Sequence, residues 1–360
     1  MPGAVDAQCA SPKVSGFDCR TCDQGCNGLI EASHAEPYIR MLYRRSRTLR
    51  SLQRKCSYMD RRPPLTETIV IPDLHADPER LEASLRLAPA DARIAFLGDF
   101  IDAGLSVPHP DDAAVLDRVM ALMETGTAVG VMGNHELNAL LFHRLDPYGE
   151  ALRTRDTKNA VQHRSFCERF GIGTPEALDR TAWFLTLPLW LDLDGLRLVH
   201  ACWDPDAIAT IAARRPDGRL REDDLNEVAR KETAFARAVD LLVSGPEVKL
   251  PPGVGFHDAA GHYRSQVRIA WWRADARTWR DAALSVPDPD VLPDTEIDIG
   301  SGVTFYGPQE PPVLVGHYKM QGQPRFEGPT AACLDYPKLP CVYCWKGEEA
   351  LRYDNLRPVA

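Results

Sequence analysis

Short apolar runs alternate with amphipathic stretches in the first half of the chain. Three of the runs are apolar and partly β-branched, and they predict buried strands at 68–73, 92–99 and 127–132. The stretches between and after them predict helices at 77–87, at 111–124 and after Asn134. The first helix has a clear start, because Asp77-Pro78-Glu79 offers an N-cap and a proline at the first helical position. This alternation of strand and helix predicts an α/β fold with a parallel sheet.

The second half of the chain is less regular. A helix is predicted to begin at Thr174-Pro175-Glu176, and a charged helix is predicted at about 221–243. The Asp194-Gly195 pair is typical of a hairpin turn between two strands. Strands are predicted at 187–193, 196–201, 313–317, 331–336 and 341–345.

Composition narrows the class of protein. The 360 residues are 44% hydrophobic and 26% charged, as in soluble globular proteins. A formal net charge of −9 gives no general attraction to nucleic acid or to anionic membranes. The sequence has no apolar run long enough to span a membrane, and its N-terminus lacks the layout of a secretory signal. A cytoplasmic location and reduced cysteines are therefore expected.

Residues 1–60 are predicted to be an N-terminal extension. The spacing of Cys19, Cys22 and Cys26 suits a metal site, which Cys9 or His34 would have to complete. A flexible extension with free thiols is the simpler interpretation. Residues 36–56 predict a basic amphipathic helix, which could contact nucleic acid or a membrane but is more simply a solvated surface helix. The second Cys-x2-Cys pair, Cys341 and Cys344, lies in a predicted strand, where packing is a simpler role than redox chemistry.

Polar residues stand at the exits of five predicted strands. They are Asp73 and His75, Asp99 and Asp102, Asn134, His135 and Glu136, His200, and His317. Carboxylate, amide and imidazole groups suit divalent manganese, iron, zinc or nickel. Because functional residues gather at the carboxyl ends of strands in such sheets, these side chains are expected to meet. Together they could hold two ions, as in sites that carry out displacement at phosphorus.

In this order, the segments DLH, GDFID, GNHE, VHA and GH resemble the motif set of the calcineurin-like metallophosphoesterases. The likeness is stronger to the phosphoprotein-phosphatase branch and the related bacterial diadenosine tetraphosphatases. It covers about residues 68–204 and 312–346. It implies a four-layer α-β-β-α sandwich with mixed sheets in a domain at 61–360, and residues 205–310 are expected to form an inserted cap.

The resemblance also implies roles for single residues. Asp73 and His75 would bind a first metal, and Asp99 would bridge to a second. The remaining ligands of the second metal would be Asn134, His200 and His317. His135 would be the general acid, with Asp102 orienting its ring, while a hydroxide activated by the two metals attacks phosphorus. The ions are expected to be manganese, with iron, zinc or nickel as alternatives; each residue alone also fits a helix cap or a loop hydrogen bond.

The sequence departs from the protein phosphatases at two motifs. Ala103-Gly104 follows Asp102 where those enzymes have an arginine that grips phosphate, and Ala201-Cys202 follows His200 where they have two glycines. Other cationic side chains must then hold the phosphate. The candidates are Arg153, Arg155, Arg264, Arg273 and Lys319, each of which could instead be a solvated surface charge.

The function predicted from these features is metal-dependent hydrolysis of phosphomonoesters, a phosphoric ester hydrolase activity. A small-molecule or nucleotide substrate is favoured, because a large cap would obstruct the shallow groove that a phosphoprotein needs. Tyr263, Trp271 and Trp272 could stack on a ring of the substrate or pack inside the cap. The alternatives are a Ser/Thr protein phosphatase, a dinucleoside polyphosphate hydrolase, a nucleic-acid phosphatase or nuclease, and a non-catalytic binding protein.

Overall fold

The computed structural model describes residues 67–360, except 105–106, 259–260, 298–302 and 327. The predicted extension at 1–60, with its cysteines and its basic helix, lies outside the described residues.

The described strands and helices follow most of the predicted segments, with shorter bounds. In chain order the strands are β1 (Thr68–Ile71), β2 (Arg93–Phe96), β3 (Ala128–Gly130), β4 (Trp190–Asp192), β5 (Arg197–Val199), β6 (Glu247–Lys249), β7 (Phe256–His257), β8 (Tyr263–Arg264), β9 (Gln266–Ile269), β10 (Ala283–Leu284), β11 (Val313–Val315), β12 (Ala331–Cys333), β13 (Cys341–Trp345) and β14 (Leu356–Pro358). The helices are α1 (Pro78–Leu85), α2 (Asp112–Glu124), α3 (Asn134–His143), α4 (Thr157–Gln162), α5 (Arg164–Phe170), α6 (Pro175–Phe184), α7 (Pro205–Ala212), α8 (Leu225–Arg230), α9 (Ala234–Ser244) and α10 (Trp279–Ala282).

Two larger sheets form the centre of the fold, and both are mixed. The first has the strand order β14-β13-β1-β2-β3. Its strands β1, β2 and β3 are parallel, as predicted, while β13 runs antiparallel to β1 and to β14. The second sheet has the order β12-β11-β5-β4, in which β12, β11 and β5 are parallel. The antiparallel β4–β5 pair is the hairpin predicted from Asp194-Gly195.

Alternation of side chains along the strands builds the layers. Val70 of β1 is buried in one apolar cluster with Leu198 of β5 and Leu314 of β11, which lies between the two sheets. Its neighbours Ile69 and Ile71 belong to the other large cluster, which lies against the helices.

That outer cluster contains residues from helices on both sides of the sheet pair. Leu81 of α1 and Leu116 of α2 pack in it with the first sheet, and Ile211 of α7 and Val239 of α9 pack in it with the second. The layers are therefore helix, sheet, sheet and helix, which confirms the predicted four-layer sandwich.

Two local predictions need correction. The single helix predicted at 221–243 is wrong, because the chain breaks it at Lys231, which has a left-handed φ of 56°. Helix α9 then starts anew behind the N-cap Thr233, whose hydroxyl accepts the Ala236 N–H. Helix α7 was missed, although Asp204-Pro205 carries the same N-cap and proline signal as Asp77-Pro78.

The segment predicted as a cap, 205–310, contains two different parts. Helices α7 to α9 (205–244) pack in the outer cluster, and the Ala201 N–H donates to the Leu242 carbonyl. Strands β6, β7 and β9 instead contribute to a separate small cluster, which includes Val267 and Ile269 of β9 and Trp279 of α10.

The structure shows the positions of residues for which the sequence allowed more than one role. Trp271 is fully buried and its indole N–H donates to the Ala201 carbonyl, so its role is packing. Cys341 packs between the sheets and Cys344 in the outer cluster, so the two thiols occupy opposite faces of β13. Among the described residues, every helix is too short or too polar to span a bilayer.

Candidate metal centre

The chain turns sharply after three of the strands that carry predicted ligands, β1, β2 and β11. His75, Asp99, Asp102 and His317 all have left-handed backbone, with φ between 50° and 73°. For residues other than glycine this conformation costs about 1–3 kcal/mol, so the surrounding contacts must hold it. Two such contacts tie the first turn to the second, because the N–H groups of Leu74 and His75 both donate to the Asp99 carbonyl.

Two glycines allow the turns to approach one another. A Cβ atom on Gly98 would lie 2.5 Å from the backbone nitrogen of Gly133. Glycine at position 98 therefore allows the GDFID segment to lie directly against the GNHE segment. A Cβ atom on Gly316 would lie 1.9 Å from Oδ1 of Asp73. The same close approach lets the His317 N–H donate to the Asp73 carboxylate at 3.0 and 3.2 Å.

One group of buried side chains that could bind a metal surrounds Asn134. Its Oδ1 lies 3.0 Å from Nε2 of His200 and 2.7 Å from Nδ1 of His317. His200 Nε2 also lies 3.4 Å from Oδ1 of Asp99. The other His200 nitrogen, Nδ1, contacts the Leu97 carbonyl at 2.7 Å. That contact holds the proton on Nδ1 and turns the Nε2 lone pair toward the group, as in metal-binding histidines.

A second group of donors lies on the other side of Asp99. His75 Nε2 is 4.0 Å from carboxylate oxygens of both Asp73 and Asp99. One donor atom each of His75, Asp99 and His135 lies within 4.8 Å of the others, and the same holds for Asp99, His200 and His317. Asp99 is the member that both sets share, which suits a carboxylate bridge between two ions.

Two observations test whether these residues suit metal ions. Nε2 of His75 and Nε2 of His317 are buried, and neither has a hydrogen-bond partner among the described residues. Buried polar atoms of this kind normally have a partner, and a cation would supply one. Burial, together with nearby His135, lowers the pKa of His75 to about 3, so its imidazole is neutral, as a metal ligand must be.

The carboxylates also favour positive charge in the site. Burial raises the pKa of Asp73, and the neighbouring carboxylates of Asp335 and Asp99 raise it further. Burial likewise opposes ionisation of Asp99, but His200 and His135 outweigh it and hold the pKa of Asp99 below its usual range. Divalent cations would offset the cost of burying these charges together.

His135 and Asp102 form the predicted pair. Nδ1 of His135 lies 2.7 Å from Oδ2 of Asp102, while its Nε2 faces Asp99 at 3.8 Å. Burial lowers the pKa of His135, but Asp99 and Asp102 outweigh burial and raise it overall. The ring can therefore carry a proton near neutral pH, which a general acid requires.

Glu136 does more than the predicted support of a helix start. Its carboxylate accepts the backbone N–H groups of Asp99 and Phe100 at 2.8 Å and of Gly133 at 2.9 Å. It thereby fixes the two turns that carry Asp99 and Asn134. Burial and nearby Asp99 raise the pKa of Glu136 to about 7.

Sequence reasoning missed three residues of the site. Gln162 Nε2 lies 3.3 Å from Nε2 of His135, and His163 Nδ1 lies 2.6 Å from Oδ1 of Asp102. Asp335 is fully buried and accepts the Lys319 N–H at 2.9 Å. Asp335 follows β12, so the strand-end rule could have found it. The other two lie where α4 meets α5, in a segment without a motif.

A cavity of about 610 Å³ opens beside Asp99, Asn134, His135 and His317. Of the predicted phosphate binders, Arg264 and Lys319 line this cavity. Arg264 is paired with Asp258 at 2.8 Å, while the Lys319 ammonium has no ion pair in the part of the chain that the structure describes.

The other predicted phosphate binders do not line the cavity. Arg153 donates to the side chains of Asn138, Asn159 and Gln162, and Arg155 donates to the Phe142 carbonyl. Arg273, in turn, donates to the Asp281 carbonyl. These arginines are engaged in internal contacts and are not presented to the cavity.

Comparisons with known proteins bear on the family of this chain. Residues 67–245 match the family model of the calcineurin-like phosphoesterases. A symmetrical bis(5'-nucleosyl)-tetraphosphatase of Ralstonia nicotianae is 30% identical over 131 residues, 36% of this chain and 40% of the relative. The matched region thus spans less than half the length of that relative.

Two solved structures align over most of the chain with low similarity. A cold-active protein-tyrosine phosphatase of Shewanella is 14% identical, with 82% of this chain and 81% of that chain covered and a TM-score of 0.42. A serine/threonine phosphatase of Saccharomyces cerevisiae is 13% identical, with 83% and 80% covered and a TM-score of 0.41. Scores this low carry no argument about function. The match to the family model stands without them, and residues 67–245 form a domain of the calcineurin-like phosphoesterases.

Proposed function

We propose that this protein is a metal-dependent phosphatase that hydrolyses phosphomonoesters. The observation that carries the proposal is the position of Asp99 between His75 on one side and His200 and His317 on the other, beside the buried His135–Asp102 pair. Membership of a phosphoesterase family supports the reaction class.

The donor set fits two divalent ions. Asp73 and His75 would hold one of them, Asn134, His200 and His317 the other, and Asp99 would bridge both. Manganese is proposed first, with iron, zinc or nickel as alternatives, since all accept mixed oxygen and nitrogen ligands. When bound, such ions polarise a phosphoryl group and lower the pKa of water.

His135 would deliver the proton to the leaving oxygen. Asp102 accepts from Nδ1, so the second proton of the charged ring is on Nε2, on the cavity side. Gln162 is held by Arg153 at its Oε1, so its amide N–H faces His135 Nε2 and can donate to that nitrogen only in the neutral ring, the form left after the proton is delivered.

The cavity supports a small-molecule or nucleotide substrate. Its volume of about 610 Å³ leaves room for much more than a phosphate group. Lys319 and Arg264 would contact phosphate oxygens, and Tyr263, 61% exposed at the lining, could stack on a base or ring. Because β7 to β9 form one wall, we propose that the cap is the part of the insertion that follows α9.

A dinucleoside polyphosphate is the second candidate substrate. The cavity lining includes four basic residues, Lys158, Arg264, Arg268 and Lys319, which could contact more than one phosphate group. Arg264 and Arg268 are paired there with Asp258 and Glu247. The relative from Ralstonia, named as a tetraphosphatase, favours the same class. A phosphoprotein is disfavoured by the cap, and a nucleic acid by the acidic net charge.

Phosphate release from a panel of substrates tests the proposal. The panel contains p-nitrophenyl phosphate, its bis-ester, nucleotides, diadenosine tetraphosphate and a phosphopeptide. Metal is removed with a chelator and manganese is added back, with His135→Ala as the matched variant. Turnover that returns with manganese and falls in the variant is expected; metal binding without turnover of any substrate would instead support a binding protein.

A further inference from the structure

Asp102 serves two histidines, not one. Its Oδ2 contacts Nδ1 of His135 at 2.7 Å, and its Oδ1 contacts Nδ1 of His163 at 2.6 Å. All three side chains are buried. A buried carboxylate oxygen without a donor costs about 1–3 kcal/mol, and the carboxylate could rotate away from its other partner. His163 removes both problems.

His163 is held in turn by His143. Their Nε2 atoms are 2.9 Å apart, so one of the two must carry a proton. The Gly173 N–H donates to Nδ1 of His143 at 3.1 Å, which places the proton of the neutral His143 ring on Nε2. His143 then donates to Nε2 of His163, and the proton of His163 is on Nδ1, facing Asp102. A single backbone N–H thus sets the direction of the whole chain of hydrogen bonds.

Two other arrangements fit these contacts less well. A metal ion held by His143, His163 and Cys167 would need the Nε2 lone pair of His143, whose Nδ1 already accepts the Gly173 N–H. A neutral imidazole cannot offer both lone pairs. Burial lowers the pKa of His163, but Asp102 and a contact with Cys167 outweigh burial and raise it. A second proton on His163 would have no acceptor on His143, and Nδ1 carries a proton toward Asp102 in either form. The neutral form with Nδ1 protonated is the one that the hydrogen bonds fit.

The surroundings of His163 are apolar and rigid. Its ring stacks on Phe166 with centroids 4.8 Å apart, and Phe142 packs edge-on at 5.1 Å. His163 also lies at the junction of α4 and α5, and His143 is the last residue of α3. Hydrogen bonds in such a dry setting are stronger and more directional than those exposed to water.

We propose that His163 is a positioning residue for proton donation, which holds the Asp102 carboxylate in the orientation that His135 needs. The inference rests on the proposed phosphatase function. Without His163, Asp102 can rotate and His135 loses its fixed direction. Protonation of the leaving oxygen should then suffer, while binding of the phosphoryl group should not.

The test compares two leaving groups in two variants. Phenolate needs a proton to leave, whereas p-nitrophenolate leaves with little help. His163→Leu is expected to lower kcat for phenyl phosphate about tenfold more than for p-nitrophenyl phosphate, a part of the roughly 10²–10⁴ that a general acid supplies. His163→Asn keeps an N–H donor near the Nδ1 position and should recover most of that loss.

A double variant separates positioning from structural damage. In the His135→Ala background, His163→Leu should cause no further selective loss on phenyl phosphate, because its effect passes through His135. Phe170→Leu, a change in the core of α5 without contact to Asp102, controls for loosened packing and should leave the ratio of the two substrates unchanged. Equal losses on both substrates, or a selective loss that persists without His135, would overturn the proposal.

A second measurement does not depend on activity or on folding of the variants. Nitrogen NMR of the full-length protein, labelled at histidine and loaded with diamagnetic zinc, reports which ring nitrogen carries each proton. His163 is expected to be protonated on Nδ1 and His143 on Nε2; an unprotonated Nδ1 in His163 overturns the inference. If the wild-type protein hydrolyses no substrate, the proposed function fails, while this measurement still decides the hydrogen bond.

Discussion

Gly316→Ala would place a methyl group against a proposed metal ligand. The Cβ atom would lie 1.9 Å from Oδ1 and 3.0 Å from Cγ of Asp73, whereas ordinary contacts begin near 3.4 Å. Gly316 does not have a left-handed φ, so alanine suits its backbone and the effect is steric alone. Asp73 must therefore move.

The size of the movement sets the expected effect. The Asp73 oxygen has to recede by about 1.5 Å, the difference between 3.4 and 1.9 Å. Metal–ligand distances tolerate only about 0.2 Å, and a misplacement of 1 Å in a site costs about 10²-fold in rate. We expect kcat/KM to fall at least about 100-fold. The stretched bonds from the His317 N–H cost about 1.5–3 kcal/mol in stability, so the protein should remain folded.

Metal content and unfolding are measured on the same samples. The variant and the wild type are dialysed with limiting manganese and their bound metal is determined, and urea unfolding gives the loss of stability. Gly307→Ala is the matched control, because its Cβ atom would meet only Glu310 at 3.8 Å. A Gly316→Ala protein with full metal content and wild-type turnover would refute the close approach of Gly316 to Asp73.

Three further variants probe other parts of the site. Glu136→Gln should lose about 2 kcal/mol of stability, because an amide cannot accept all three backbone N–H groups that donate to Glu136. Urea unfolding measures the loss, and an unchanged midpoint would show that Glu136 does not hold the two turns in place. Lys319→Gln should raise KM for phosphate esters about tenfold without a change in melting temperature, and steady-state kinetics with an unchanged KM would exclude a phosphate contact. Burial raises the pKa of Asp112 to about 6, so the folded state holds this proton more tightly than the unfolded state and stability falls as pH rises from about 4 to 6. Asp112→Asn removes that loss, and its stability relative to wild type should improve by about 2 kcal/mol between pH 4.5 and 7.5 in urea titrations. A constant difference would show that Asp112 ionises normally.

Local signals in the sequence predicted the parallel strands and the proposed metal donors, whereas the four-layer sandwich was implied by the family resemblance. Each proposed metal donor follows a short apolar run. Parallel strands end at the same edge of a sheet, so the residues that follow them lie close together. His200 and His317 met Asn134 as the resemblance implied, even though 183 residues separate His317 from Asn134.

The phosphate binders, and the contact of His163 with Asp102, could not be predicted in the same way. Arg153 and Lys319 look alike in a sequence, and only tertiary contacts show that one is bound to three side chains while the other lines the cavity. His163 reaches Asp102 across 61 residues from a helix junction, where no period or motif marks it. The helix break at Lys231 depends on that residue adopting a left-handed φ, and the helix propensity of the local sequence gives little indication of it.

The place of β13 between β14 and β1 has a consequence for the nascent chain. β1 can pair with β2 soon after both are made, but its other edge waits for Cys341–Trp345. At about 5–20 residues per second, translation leaves that edge open for roughly 10–50 s. An open, apolar strand edge invites pairing with other chains. The exposed edge of β1 is therefore covered only once β13 has been made, and Asp73 acquires its His317 contact shortly before that.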